Sequence, residues 1–467
     1  MSALDGPGSA GRAAEMVRRG EASSRELTEL VLGRIDALNG ELNALVELRR
    51  EAALREAAAA DEAIARRERV GGLHGVPVTI KEAFNVAGMH TTWGNPQFGD
   101  FVADRDATVV ARLREAGAIV VGKSNVASML GDFAQTANEL YGKTGNPWDT
   151  GRTPGGSSGG AAAAVAAGMT FLEYGSDLVG SIRIPASFCG VYGLRPSASI
   201  VPLTGFQPPG PPAPQSEMTY MSALGPLART AGDLRLALRA TAGPERPAAN
   251  AFSWELATPR HTRLADFRVG LVLDHPEAAV TSEVGAVLSD AVDKLASRGA
   301  TLVEGWPEGI DPGQSAASFG FQVGLFFAFQ QPSGEFAPLA QVIEQEARRM
   351  ATRAAWTDYF TDIDVFICPT NFTAAFPHDP RPFEERTVAT AEGERPYRDQ
   401  PFWTAHPALA GLPALAAPVG RTLAGLPVGL QIIGPPYEDD TAITFAELLA
   451  DVTGGYHAPP IDARTGQ

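Results

Sequence analysis

The stretch Gly155 to Pro196 reads GGSSGGAAAAVAAGMTFLEYGSDLVGSIRIPASFCGVYGLRP. Two serines in glycine-rich settings, Ser157 and Ser181, stand at either side of a run of small apolar residues. Glycine lets a backbone approach a ligand closely and reach φ > 0. Serine brings a hydroxyl that becomes a nucleophile once a base takes its proton. The run Ala161 to Ala167, six alanines and one valine, has high helix propensity and little bulk. It predicts a helix packed tightly on both sides, holding two loops at a fixed separation.

A serine nucleophile needs a partner base, and the residues offer two arrangements. Gly155-Gly156-Ser157-Ser158-Gly159 satisfies G-x-S-x-G, the nucleophile elbow of α/β-hydrolases. That arrangement makes Ser157 the nucleophile and requires a downstream histidine, His406 or His457, with an acid. The elbow also follows a strand directly, whereas NPWDTGRTP precedes Gly155. In the second arrangement the base is a lysine. Gly75-Val76-Pro77-Val78-Thr79-Ile80-Lys81 contains a short apolar run that reads as a strand ending on Lys81. Taken alone, a lysine at a strand end reads as a solvated surface residue.

Three elements in this order, the G-x-P-x-x-x-K lysine, the GGSSGG loop and GSDLVGSIRIP (Gly175 to Pro185), resemble the signature of the amidase-signature hydrolases. The resemblance covers nearly the whole chain. It is densest over Leu73 to Pro196 and Phe402 to Gly434, and weakest over Thr241 to Asp362. It implies an α/β fold with a large mixed β-sheet flanked by helices on both sides, below a helical N-terminal layer. It implies that Lys81 takes a proton from Ser157, that Ser157 takes one from Ser181, and that Ser181 attacks a carbonyl. The backbone N–H groups of Leu178, Val179, Gly180 and Ser181 then form the oxyanion hole. Ser158 makes structural hydrogen bonds, Asp177 and Arg183 frame the loop, and Met129, Leu130 and Gly131 are candidate pocket residues. No metal or organic cofactor is implied. One position departs from the family pattern D-x-G-G-S: Val179 stands where the first glycine is usual, and valine avoids φ > 0.

The rest of the chain reads as follows. Residues 1–70 are expected to be helical, with a capping box at Ser23 and Glu26 and a second helix from about Ala44 to Arg67. Residues 71–467 are expected to be one α/β unit with a variable insertion over 241–362. Gly117 to Ser124, GAIVVGKS, matches the letters of a phosphate-binding P-loop, but AIVV reads as the strand itself, not a loop of free N–H groups. Leu203 to Gln215, rich in Pro and Gly, is expected as a loop near the site mouth. Leu224 to Arg229 resembles the family's G-P-[LM]-A-R turn. Phe319 to Phe329, FGFQVGLFFAF, reads as a buried helix or as a hydrophobic wall for a substrate.

Composition bounds the class. The 467 residues carry 38 Lys and Arg against 54 Asp and Glu, a net charge of −16, which argues against a nucleic-acid surface. The two cysteines, Cys189 and Cys368, form neither a disulfide framework nor a metal spacing and read as buried free thiols. The N-terminal residues lack the apolar core of a signal peptide and no apolar run reaches membrane-spanning length, so a cytoplasmic protein off the membrane, monomer or homodimer, is expected. The expected substrate is a small, apolar, aryl amide, ester or carbamate. The alternatives are the glutaminase component of a tRNA-dependent amidotransferase, a Ser/His esterase of the α/β-hydrolase class, and an inactive binding homologue.

Overall fold

The computed structural model describes residues 8–208, 221–328 and 337–461. Helices α1 (Ala10–Arg19), α2 (Ser24–Leu42) and α3 (Arg50–Ala65) form the N-terminal layer. Ser23 caps α2 through the predicted box: its hydroxyl accepts from the Glu26 N–H, and the Glu26 carboxylate accepts from the Ser23 N–H. The helix expected from Ala44 is corrected at its start. Asn43 is left-handed (φ 49°) and the Asn39 side chain accepts from the N–H groups of Ala44 and Leu45, both at 2.9 Å. The chain therefore leaves α2 extended, and β1 (Leu45–Leu48) joins the sheet before α3 begins.

The strands that follow are β2 (Pro77–Lys81), β3 (Ile119–Ser124), the short pair β4 (Ala137–Asn138) and β5 (Gly142–Lys143), β6 (Leu172–Asp177), β7 (Tyr192–Arg195) and β8 (Ala223–Ala228). Then come β9 (Arg268–Leu271), β10 (Thr301–Glu304), β11 (Val365–Pro369), the hairpin β12 (Thr387–Thr390) and β13 (Gly393–Pro396), β14 (Ala414–Arg421) and β15 (Pro427–Ile433). Eleven of them form one sheet in the order β1-β3-β2-β6-β8-β7-β14-β15-β11-β9-β10. It is mixed: β2 runs parallel to β3 and β6, and β9 to β10 and β11, while the pairs in the middle are antiparallel.

The remaining helices are α4 (Thr108–Glu115), α5 (Gly159–Ala166), α6 (Arg183–Cys189), α7 (Ala231–Thr241), α8 (Ser282–Ser297), α9 (Pro312–Ala328), α10 (Leu339–Tyr359), α11 (Phe402–Ala410) and α12 (Asp439–Thr453). Helices α5 and α6 pack against the sheet through β2, β6, β14 and β15, and α7, α8 and α12 pack against it through β8 and β14. The small-residue run forms α5 as its composition predicts, and every residue of it is buried.

Of three further expectations, one is met and two are not. Leu224 to Arg229 is not a turn: β8 runs between β6 and β7 in the middle of the sheet. Its glycine and proline hid it, because both are uncommon in central strands. Within GAIVVGKS, Ile119 to Ser124 form strand β3, as the letters AIVV required. A side chain at Gly122 would meet the Glu47 carbonyl of β1 at 2.4 Å, and Lys123 is buried, donating to the Thr91 hydroxyl at 2.9 Å and to the His90 carbonyl. No phosphate cradle forms there. Helix α9 is not buried all round: Phe319 is buried, while Gly320 and Gly324 are exposed. Residues 209–215 of the Pro/Gly-rich loop and Phe329 lie outside the described residues.

Candidate active site

Strand β2 carries Lys81 to the edge of the loops on either side of α5, and every residue of β2 is buried. The lysine is fully buried. Its Nζ lies 2.7 Å from the Ser157 Oγ, 2.8 Å from the Ser158 Oγ and 2.9 Å from the Ser176 Oγ. Burial pulls its pKa from the usual lysine value down to about 7, against the opposing charges of Asp177, Glu173 and Glu82. A neutral amine has two N–H groups and one lone pair, so among three hydroxyls it can donate two hydrogen bonds and accept one. The Gly156–Ser157 peptide is cis, and the Ser158 N–H donates to the Ser181 carbonyl at 3.2 Å. That bond ties the first serine loop to the second.

The second loop follows β6. Asp177, at its start, is fully buried and accepts from the N–H of Gly180 (2.9 Å) and Ile182 (3.2 Å) and from Arg183 Nε (2.9 Å) and Nη2 (2.8 Å). Burial opposes its ionisation, but Arg183 and Arg195 outweigh burial and hold its pKa at about 2. Arg183 also donates to the Thr404 carbonyl at 2.9 Å and to Gln431 Oε1 at 2.6 Å, so the frame reaches α11 and β15. Ser158 and the Asp177–Arg183 pair are thus hydrogen-bonded within the protein interior, the pair linking the Ser181 loop to α11 and β15.

The proposed oxyanion residues divide. The Gly180 N–H is taken by Asp177, which removes it from the set. Among the described residues nothing accepts from the N–H groups of Leu178, Val179 and Ser181. Val179 does not need a positive φ: the left-handed position in this loop is Gly180, at φ 94°. The Val179 side chain lines the pocket and packs against the cluster that contains Phe133, Ile184 and Tyr397.

Ser157, Ser176, Leu178, Val179 and Ser181 open onto a cavity of about 540 Å³. Met129, Leu130 and Gly131 line it, and so do Phe319, Gly320 and Val323 of α9. Met129 and Leu130 hold left-handed backbones (φ 48° and 57°), and the Met129 N–H donates to the Trp93 carbonyl at 2.7 Å. Sequence reasoning missed Ser176, which lies inside the signature loop, and it missed the aromatic lining by Trp93, Phe133, Phe206, Phe383 and Phe402. Those residues come from separate segments, and no local pattern marks them. Phe206 was within reach, since the loop expected at the mouth contains it.

The histidines of the other arrangement are elsewhere. His406 is buried beside Trp306 (4.6 Å between ring centres) and Phe402 (5.2 Å). Burial lowers its pKa to about 3, and neither ring nitrogen has a hydrogen-bond partner among the described residues. His457 is exposed, next to Gly454. The side chain hydrogen-bonded to the Ser157 hydroxyl is that of Lys81.

Known proteins resemble this chain over most of its length. A family model described as Amidase matches residues 26–331 and 327–443. The chain is 35% identical to an acylamidase of Rhodococcus erythropolis over 448 residues, 91% of each chain. It is 32% identical to the A-subunit of glutamyl-tRNA(Gln) amidotransferase from Thermosynechococcus vestitus over 498 residues, 96% of this chain and 98% of that one. Among solved structures, one described as a vestigial protein complex revealing the origins of an s-triazine catabolic enzyme superposes with a TM-score of 0.84 at 28% identity, covering 97% of this chain and 100% of the other. The likeness thus runs the length of the molecule, through the strand that carries the lysine and both serine loops, and the chain belongs to the amidase family of amidase-signature enzymes.

Proposed function

We propose that this amidase-signature hydrolase cleaves the carbonyl–nitrogen bond of apolar, aryl-bearing amides through an acyl-enzyme on Ser181, and that it takes the corresponding esters and carbamates by the same route. One observation carries the reading: a fully buried lysine whose amine meets the Ser157 hydroxyl at 2.7 Å. Neutral Lys81 accepts the Ser157 proton as Ser157 accepts that of Ser181. The Ser181 oxygen bonds to the carbonyl carbon, and the oxyanion lies against the N–H groups of Leu178, Val179 and Ser181. Such donors are each worth on the order of a hundredfold in rate. The proton returns through Ser157 to the leaving nitrogen as the carbon–nitrogen bond breaks. Water, deprotonated by the same relay, then attacks the acyl carbon and frees Ser181.

The lining supports an apolar substrate, with aromatic rings of Trp93, Phe133, Phe206, Phe319 and Phe402 around the cavity. It disfavours glutamine, although the amidotransferase relative matches nearly all of this chain. A panel of p-nitroanilides, p-nitrophenyl esters and aryl carbamates tests the reading, together with Ser181→Ala and Lys81→Ala. Both substitutions are expected to abolish turnover. Activity confined to small polar amides, or glutaminase activity only with added partner proteins, would overturn it.

A further inference from the structure

Between β11 and α11 the chain makes a long excursion, residues 371–401, that contains the β12–β13 hairpin. It brings Phe383, Arg395, Arg398 and Asp399 to the cavity. Nothing in the relay requires it. Its attachment is specific. The Asp132 carboxylate accepts from Arg386 Nη1 at 2.6 Å and from the Tyr397 hydroxyl at 2.7 Å. The same carboxylate accepts from the N–H groups of Ala134 and Gln135, each at 3.1 Å. A single side chain next to pocket residue Gly131 thereby joins residues 254 and 265 positions away. Gln135 adds a bond from the Asp379 N–H at 2.7 Å, and the Phe376 carbonyl accepts from the Thr153 N–H at 2.9 Å.

The rings follow from this anchorage. Phe133 stacks on Tyr397 (5.3 Å, 22°) and meets Phe383 edge-on (5.8 Å, 89°), and the Arg386 guanidinium lies 5.4 Å from the Tyr397 ring centre. Val179, from the loop that ends in Ser181, packs into the same cluster. The Gly156 N–H donates to the Phe133 carbonyl at 3.1 Å, so the ring wall is one peptide from Ser157. Flat rings in offset and edge-on arrangements suit another flat ring better than a small aliphatic group.

We infer that residues 371–401 are the specificity-determining wall of this pocket, that Asp132 is its positioning residue, and that the wall selects substrates bearing an aryl group over small aliphatic amides. The inference rests on the amide-hydrolase reading above and names the part of the chain that sets its substrate class.

The test compares wild type, Asp132→Asn and Phe383→Ala on acetamide, acetanilide and benzamide, with Ser181 counted by reaction with an alkyl fluorophosphonate. Asp132→Asn keeps the shape and gives up the charge-assisted bonds to Arg386 and Tyr397. The ratio of aryl to acetamide kcat/KM is expected to fall about tenfold, the size of one lost charged hydrogen bond, and to fall through KM. Phe383→Ala removes one ring and none of the hydrogen bonds of Asp132, and is expected to move the ratio the same way, so the inference stays testable if Asp132→Asn does not fold. An unchanged ratio in both variants, with Ser181 still labelled, overturns this inference and leaves the relay standing. Failure of the phosphonate to label wild-type Ser181 overturns both readings.

Discussion

Replacing Lys81 by methionine should destroy the activity and at the same time relieve the fold of a cost in acid. The lysine is fully buried and its pKa is about 7, against about 10.4 in an unfolded chain. Because the folded value is the lower, the unfolded state binds more protons between these limits, and stability rises with pH across that window. At pH 6 both states carry the proton and the full gap between the two values acts against folding, on the order of 5 kcal/mol. At pH 9 the native lysine is neutral and the remaining cost is about 2 kcal/mol. Methionine carries neither cost. Its introduction leaves the hydroxyls of Ser157, Ser158 and Ser176 without the amine, at about 1 kcal/mol each, and this loss does not vary with pH over the range. The stability difference between wild type and Lys81→Met should therefore move by about 3 kcal/mol in favour of wild type from pH 6 to pH 9. Urea unfolding midpoints at the two pH values measure it. The kinetics carry the same constant: kcat/KM of wild type should rise about tenfold from pH 6 to pH 8 and then level, because the neutral amine is the active form. A pH-independent stability difference, or a flat rate profile between pH 6 and pH 8, would refute a neutral, buried lysine base.

Three other substitutions separate frame from chemistry. Asp177→Asn leaves Arg183 and Arg195, both fully buried, without their counter-charge, and a broken buried pair costs about 3–5 kcal/mol; a fall in the thermal midpoint of several degrees with loss of Ser181 labelling is expected, and an unaffected midpoint would count against the frame. Val179→Gly frees the side-chain volume between the Ser181 loop and the Phe133 cluster while Gly180 retains the left-handed position; substrate preference should shift toward bulkier amides, and unchanged preference would show that the side chain does not shape the site. His406→Leu replaces a buried ring with two unpartnered nitrogens by an apolar group of similar size, so hydrolysis should persist and the unfolding midpoint should hold or rise; loss of activity would restore the Ser/His arrangement.

The cluster of Lys81, Ser157, Ser158 and Asp177 was legible because its members lie in short strings. A lysine closing a strand, two glycine-flanked serines and an Asp–Arg frame each lie in a short string whose spacing is itself the constraint. The alanine run foretold α5 because a helix with no side chain larger than valine suits burial on every side. The errors at Ala44 and Leu224 share a cause: Asn43 and Asn39 end a helix by side-chain capping, and Gly225 and Pro226 enter a central strand because neighbouring strands dictate the geometry there. Tertiary context decided both, and a propensity reading had no access to it. The substrate wall is the extreme case. Phe133 is far in sequence from Phe383 and Tyr397, and Asp132 draws it to them through bonds to Arg386 and Tyr397. No periodicity can encode a contact set whose members lie on a loop, a turn and the end of a hairpin. The relay depends on hydrogen bonds among a few groups held on rigid elements, while the wall depends on how one long connection is pinned. Changes in that connection can alter what is bound without disturbing Lys81, Ser157 or Ser181, and the side chain at Val179 stands where the two parts of the site meet.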